Sequence, residues 1–430
     1  MTRFSSFTLL FFASVATSQQ IWDIWQTTWD RGHLFSSVGP NSAGTNPINF
    51  GSPGAIGDAD IVVNDGSVFQ PMAGFGGTLS THDCWIREFL LTLLKADSSA
   101  LTLNNLKGRN PSNYQNVLNA MFSPTDGGNG AGLNYIRVPI GASDFSANGV
   151  VYSLDDTNGD TSFSSFSIKR SPSYLFSVIK DIMAVNRYIK GISASIFHVF
   201  IASVDEDRRN NERRLIEIRP RQRISDLPLK AVQGFQSQGI PVYAISIQNE
   251  PQNSNPTYPT CIMTPQMEGQ IGASLRTLLN NNGLSNVKVV GYEHNWDTAG
   301  QYPVQLMQAD GNSFAGVAFH CYAGSYTNQA SFTNAFPNKE VYFTECSGTY
   351  GSDWWGDIKW YLDNLWVGSV SQGSRSGLMW NIALDGSGNP KLPGTNSCGG
   401  PGCRPLVTIN SDGSFSLNQE FMPWHRPRRL

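Results

Sequence analysis

The fold that this sequence predicts is α/β, a (β/α)8 barrel, and three observations predict it. The stretch 240–251 is apolar and β-branched through Val242, Ile245 and Ile247, the pattern of a buried strand. It turns polar only at its end, in Gln248-Asn249-Glu250-Pro251. The stretch 340–348 repeats that design, with Val341, Tyr342 and Phe343 leading into Glu345. Finally, Glu250 and Glu345 stand 95 residues apart, about three βα units at roughly 30 residues each. That spacing puts them at the carboxyl ends of strands four and seven, where barrels collect their chemistry.

Two carboxylates facing each other across a barrel mouth are what glycoside hydrolysis needs: one protonates the departing oxygen and the other attacks the anomeric carbon. A strand-end glutamate taken alone reads equally well as a salt-bridge partner. Further motifs separate the two readings: Gly74-Phe75-Gly76-Gly77, the run 137–146 from Arg137 through Pro139 and Gly141 to Asp144, Asn249-Glu250-Pro251, and Thr344-Glu345-Cys346. In these the chain resembles glycoside hydrolase family 30, retaining β-glycosidases that include glucosylceramidases and fungal β-1,6-glucanases.

The resemblance implies Glu345 as nucleophile and Glu250 as acid and base. It implies substrate contacts from Arg137, Asp97, Asp144, Asn249, Trp296, His320, Tyr322 and Trp380. It needs no cofactor and no metal, and its substrate is a β-linked glucan or related glycoside. It also implies a small β-sandwich beside the barrel, to which residues 19–71 contribute the N-terminal strands.

Composition fits a secreted enzyme. A chain of 430 residues, 40% of them hydrophobic, can fill a barrel core. A net charge of −3 with 15% charged residues makes neither nucleic acid nor an anionic membrane a partner. Eleven Trp suit sugar stacking, although a large barrel buries many rings anyway. Residues 1–18, basic at Arg3 and apolar through 9–16, read as a secretory signal too short to span a bilayer. The expected product is a secreted, extracellular monomer without stable membrane insertion.

Six cysteines agree with an oxidising compartment, and Cys398 and Cys403 flank a Gly-Gly-Pro-Gly turn that can close a small disulfide loop. The pairing of Cys84, Cys261, Cys321 and Cys346 stays open. Metal ligation is the weaker reading, because no His accompanies the cysteines at finger-like spacing.

In chain order, 61–70 reads as a hairpin turning at Asn64-Asp65-Gly66, and 72–80 as the first barrel strand. Residues 81–96 interrupt the family register and read as an intervening sequence translated in frame or, functionally, as an unusual lid over the site. The second strand is 134–141. Arg137 near its end can keep a catalytic carboxylate ionised or serve as a structural ion pair. Leu175, Ile179, Ile182 and Met183 mark a helix outside the barrel.

From about 191 to 228 the register fails again. The family's Trp-Ser-Pro-Pro-x-Trp motif is missing, seven arginines fall between 208 and 223, and a third strand must come from 196–204. Strand five is 287–297, carrying Trp296 and a third carboxylate, Glu293, that spacing alone does not exclude. Strand six, 316–322, ends in His320 and Tyr322, the histidine being either a substrate contact or a satisfied structural residue. Helices are expected at 266–281 and 354–367, and strand eight at 377–385, with Trp380 either stacking on a sugar or filling the core.

Residues 407–416 read as a hairpin turning at Asp412-Gly413, and 417–421 as the start of a closing helix. In 422–430 Pro and Arg halt that helix, which leaves the sandwich incomplete. The most specific reading is an endo-β-1,6-glucanase of cell-wall glucan. A glucosylceramidase-type or xylan- or galactan-directed glycosidase is the alternative within the family. From another class, the alternative is an inactive glycan-binding or misfolded product of a mis-spliced gene.

Overall fold

The computed structural model describes residues 66–80, 99–125, 130–146, 162–196 and 224–421, with short pieces of 20–64 and of 153–160. The chain divides into two units at Val68/Phe69. In the first, two short antiparallel pairs are described: Gln20–Ile21 with Ile48–Asn49, and Trp25–Gln26 with Ser36–Ser37.

The second unit is a barrel. Eight parallel strands follow one another around it: β1 (Gly74–Thr78), β2 (Tyr135–Ile140), β3 (Lys190–Ile196), β4 (Ala244–Ser246), β5 (Lys288–Asn295), β6 (Gly316–His320), β7 (Glu340–Glu345) and β8 (Ser376–Met379). β8 lies beside β1. It also meets β7 through a parallel bridge at Val341 and Ser374 and the bonds Arg375 N–H to Val341 O (2.8 Å) and Trp380 N–H to Cys346 O (2.6 Å). The sheet therefore closes on itself.

Close strand approach explains the glycines of β1: a Cβ on Gly76 would stand 1.6 Å from the Tyr135 carbonyl oxygen, so no other residue fits beside β2. At the amino-terminal side the interior packs Ala73, Ala244, Val290, Ala318 and Tyr342. Above that apolar layer the inward residues become charged.

The outer helices follow their sequence signals. α1 (Ser99–Arg109) and α2 (Pro111–Phe122) precede β2, and Asn110 caps α2 by accepting from Asn113 N–H, satisfying a donor the helix leaves free. α3 (Ser173–Val185) buries Leu175, Ile179 and Ile182. α4 (Asp226–Ser237) precedes β4, and α5 (Pro265–Asn281) starts at a Thr264 cap. α6 (Tyr302–Asp310) and α7 (Gln329–Ala335) follow β5 and β6. α8 (Trp354–Tyr361) widens into a π-helix over Leu362–Ser369, whose Trp366 packs edge-on against Phe75 of β1.

Four expectations change. The third strand is Lys190–Ile196, not 196–204, because residues 190–196 pair with both β2 and β4; residues 197–223 lie outside the described part. Ser67–Gln70 form no hairpin arm, and Val68 and Phe69 are exposed. Strand eight breaks at Trp380–Ile382, where Asn381 is left-handed (φ 68°), before Ala383–Leu384 joins Val407–Ile409 and Phe415–Leu417 in a separate sheet.

The fourth concerns 417–421, which begin no helix. Leu417 ends a strand, and the following turn buries Glu420, which accepts from Arg404 Nε (2.9 Å) and Tyr361 Oη (2.8 Å). These charge-assisted bonds fix the segment as a turn. The interruption at 81–96, Cys84, the leader and 422–430 lie outside the described residues.

Candidate active site

Five ionisable side chains from five strands meet where the barrel interior turns polar. Glu345 is the last residue of β7, Arg137 lies in β2, Glu293 in β5, and His320 ends β6. Glu250 follows β4 on a short tail. Arg137 Nη1 donates to Glu345 Oε2 (2.5 Å), while Nη2 reaches Asn249 Oδ1 (2.6 Å) and Glu293 Oε2 (3.4 Å). His320 bridges two carboxylates, with Nδ1 3.1 Å from Glu250 Oε1 and Nε2 3.1 Å from Glu293 Oε2. Tyr322 Oη donates to Glu345 Oε1 (3.0 Å), and Asn253 Nδ2 to Glu250 Oε2 (2.7 Å). An oxygen of Glu250, a ring nitrogen of His320 and an oxygen of Glu345 all lie within 4.8 Å of one another.

Backbone strain accompanies this convergence. Glu250 (φ 46°), Tyr292 (φ 71°) and Glu293 (φ 45°) are left-handed, a conformation costing about 1–3 kcal/mol for such residues and concentrated at functional sites. The two glutamates hold each other there, since Glu250 N–H donates to Glu293 O (2.9 Å).

Charge sets the protonation states. Burial pushes the Glu250 carboxyl up, but the imidazoles of His294 and His320 outweigh it and hold it well below the usual carboxylate range. Glu293 is likewise pushed up by burial, but Arg137 and His320 bring it down to about 2. For His320 burial favours the neutral ring, yet Glu345, Glu250 and Glu293 raise it to about 9. Burial raises Asp144, beside the pair, to about 7, with the Glu345 and Glu250 charges adding to it and the Ser397 hydroxyl opposing.

A stability prediction follows. His320 titrates at 6.5 unfolded and near 9 folded, so its contribution is complete below pH 6.5 and is lost as pH rises through 9. The loss amounts to about 3 kcal/mol at most, at about 1.4 kcal/mol per pH interval. Asp144 and Glu268, both raised to about 7, act below that pH, so the window from 7 to 9 isolates the histidine. Denaturant midpoints should fall across it in the native protein and stay flat in His320→Gln. Equal slopes in both proteins would remove the imidazolium from the account.

The cleft above this cluster encloses about 530 Å³. Asp144, Asn249, Tyr322 and Trp380 line it together with Glu250 and Glu345. Trp380 also packs edge-on against Phe145 and lies 5.7 Å from the Arg137 guanidinium.

Three of the expected substrate contacts lie beneath the cleft or away from it. Arg137 and His320 are wholly buried beneath the carboxylates and touch those, because their charges are needed inside the barrel. Trp296 is buried against Phe343 and donates its indole N–H to Gln329 Oε1 (2.8 Å), away from the cleft. Asp97 lies outside the described residues.

Residues that sequence reasoning passed over also line the cleft: Asn253, Tyr258, His294, Asn295 and Ser397. His294 and Asn295 close β5, and the other three sit on loops, where no periodicity marks them. Ser397 immediately precedes the loop closed by the Cys398–Cys403 disulfide, the expected pairing, and donates to Asp144 Oδ2 (2.7 Å). A second disulfide joins Cys321 to Cys346, and Cys261 is a buried free thiol.

Glu250, His320 and Glu345 come close enough to ligate a cation. However, both His320 nitrogens already face carboxylates, and Glu345 is engaged by Arg137 and Tyr322. The cluster is built as an ion network.

Comparison with known proteins adds three findings. Residues 92–212 match the Glycosyl hydrolase family 30 TIM-barrel domain. The chain is 28% identical over 324 residues to the endo-1,6-beta-D-glucanase of Neurospora crassa, covering 68% of this chain and 61% of that protein. It is 28% identical over 309 residues to endo-1,6-beta-D-glucanase BGN16.3 of Trichoderma harzianum, covering 68% and 60%. The chain thus spans about three fifths of the length of these curated relatives. Among solved structures, the endo-beta1,6-glucanase BT3312 superposes with a TM-score of 0.73 at 23% identity, over 94% of this chain and 83% of that one, a likeness of fold.

Proposed function

The chain belongs to glycoside hydrolase family 30, and from that premise we propose that it is a secreted, retaining β-glycosidase, an endo-β-1,6-glucanase acting on cell-wall glucan. One observation carries the reaction type: an oxygen of Glu250 and an oxygen of Glu345 lie within 4.8 Å of each other. Retaining enzymes hold their carboxyl groups about 5–5.5 Å apart, whereas inverting ones leave room for water at about 6.5–9.5 Å.

Glu345 attacks the anomeric carbon as the bond to the leaving sugar oxygen breaks, and a proton passes from Glu250 to that oxygen. Water then attacks the same carbon, its proton goes to Glu250, and the Glu345 carboxylate departs. Arg137 and Tyr322 aim the two Glu345 oxygens through charge-assisted hydrogen bonds. An acid works best with a pKa near the working pH, yet the histidines hold Glu250 below it. The proton therefore resides mainly on His320, 3.1 Å from Glu250 Oε1, and crosses to Glu250 as charge develops on the leaving oxygen.

The linkage preference rests on the two fungal relatives named above. Disulfides at Cys321–Cys346 and Cys398–Cys403 support export to an oxidising compartment, and the chain acts as a monomer. Incubation with a linear β-1,6-glucan should release a ladder of oligosaccharides from the first minutes. Glucose alone, or cleavage of a glucosyl-lipid in place of the polymer, would favour the glucosylceramidase-type alternative, and oligosaccharides only from xylan or galactan the other.

A further inference from the structure

The Cys321–Cys346 disulfide sits inside the catalytic cluster. Cys321 is flanked by His320 and Tyr322, and Cys346 follows Glu345, so one covalent bridge adjoins three of the groups that meet at the nucleophile. The bridge spans a Cα separation of 5.2 Å between the ends of β6 and β7.

Regular pairing does not hold those ends. The β6–β7 register shifts between Phe319 and His320, which brings His320 opposite Glu345. Beyond that point the two segments keep one long backbone bond, Cys321 N–H to Glu345 O at 3.2 Å. Tyr322 is already 44% exposed, on a loop rather than a strand. Its hydroxyl must nevertheless stay 3.0 Å from Glu345 Oε1. From the other side Cys346 is fixed to β8, its carbonyl accepting Trp380 N–H at 2.6 Å.

We propose that the Cys321–Cys346 disulfide is a positioning clamp for the nucleophile: it fixes the end of β6 against the end of β7 so that Tyr322 and Arg137 grip the two oxygens of Glu345. This rests on Glu345 being the nucleophile, as proposed above. A displacement of about 1 Å at a reacting group can cost on the order of 100-fold in rate, which is the scale on which such a clamp acts.

The variant is Cys321→Ser/Cys346→Ser. Its kcat/KM on linear β-1,6-glucan should fall about 10- to 100-fold, while the Kd of a non-hydrolysed thio-linked β-1,6-glucobioside stays within about threefold, since alignment rather than binding is lost. A double-mutant cycle separates positioning from mere stapling. Tyr322→Phe should slow the native enzyme, yet cost under about twofold once the disulfide is gone, because both changes break one contact. Additive effects, or full kcat/KM in the folded double variant, would overturn the clamp.

If the serine variant does not fold, graded dithiothreitol on the native enzyme replaces it, with thiol labelling of Cys321 and Cys346 by mass spectrometry. Activity should fall in step with their appearance, and undiminished activity with both labelled would equally overturn the proposal. A crystal structure of the disulfide-free protein reads the geometry independently of turnover. Tyr322 Oη should have left Glu345 Oε1, and retention of the 3.0 Å contact would overturn the clamp. An inactive native enzyme overturns the functional reading instead, and the clamp is then judged on that distance.

Discussion

Glu345→Gln should abolish turnover of β-1,6-glucan by about 10⁴-fold or more, since an amide cannot form the covalent intermediate. No glycosyl adduct should appear on the protein by mass spectrometry with any substrate, however good its leaving group. The same substitution should leave the fold at least as stable. Three carboxylates, Glu250, Glu293 and Glu345, crowd around Arg137 and His320, with His294 3.9 Å from Glu250, so negative charge is in excess over Arg137 and His320. An amide at 345 removes that excess while its carbonyl still accepts from Arg137, so the midpoint of unfolding should hold or rise, as happens where an active site stores strain. A variant that unfolds early would mean that lost activity reports collapse of the ion network, and turnover near the native rate would take the nucleophile away from β7.

Glu250→Gln should fail selectively. On glucan, whose leaving alcohol needs a proton, kcat/KM should drop about 10²- to 10⁴-fold. On a 2,4-dinitrophenyl β-glucoside, which leaves unprotonated, the first step should stay within about tenfold of the native rate. The glycosyl-enzyme should then accumulate, because the base for the water step is gone, and azide should restore turnover and yield the β-glycosyl azide. A uniform loss on both substrates would assign Glu250 to binding, with Glu293 the next carboxylate to test. Glu293 is an unpromising acid on geometric grounds: it is wholly buried, is not among the residues lining the cleft, and its Oε2 already accepts from Arg137 and Thr344 and faces His320.

The two catalytic candidates were legible because a barrel strand carries its own label: Ile245 and Ile247 before Glu250, Val341 and Phe343 before Glu345, apolar until the residue that must face the cleft. Strand periodicity says where an element ends and that its last side chain is polar. It does not say which way that side chain points. Trp296 and His320 show the difference. Both end or follow a strand as Glu345 does, yet the tertiary packing sends the indole to Gln329 and the imidazole beneath the carboxylates. Glu293 was visible as a carboxylate on the right strand, but only Arg137 and His320, brought from β2 and β6, give it a role as their counter-ion.

The third strand was misplaced for a related reason. Lys190–Ile196 is weakly apolar, and it forms because β2 and β4 supply partners on both sides, a stabilisation that no local pattern records. The turn at Glu420 depends in the same way on Arg404, whose guanidinium donates to both Glu420 oxygens from a different strand.

By itself the sequence determined what depends on neighbours along the chain: eight strand positions with two revised, three of the outer helices, the small disulfide loop at Cys398 and Cys403, and the two glutamates at strand ends. Tertiary structure alone decided what depends on neighbours across the barrel. That covers the sharing of two cations among three carboxylates, the left-handed backbone at Glu250 and Glu293, and the joining of Cys321 to Cys346 beside the nucleophile. Periodicity is a property of adjacent residues, whereas charge compensation and burial sum over groups that only closure of the barrel brings within a few ångströms of one another.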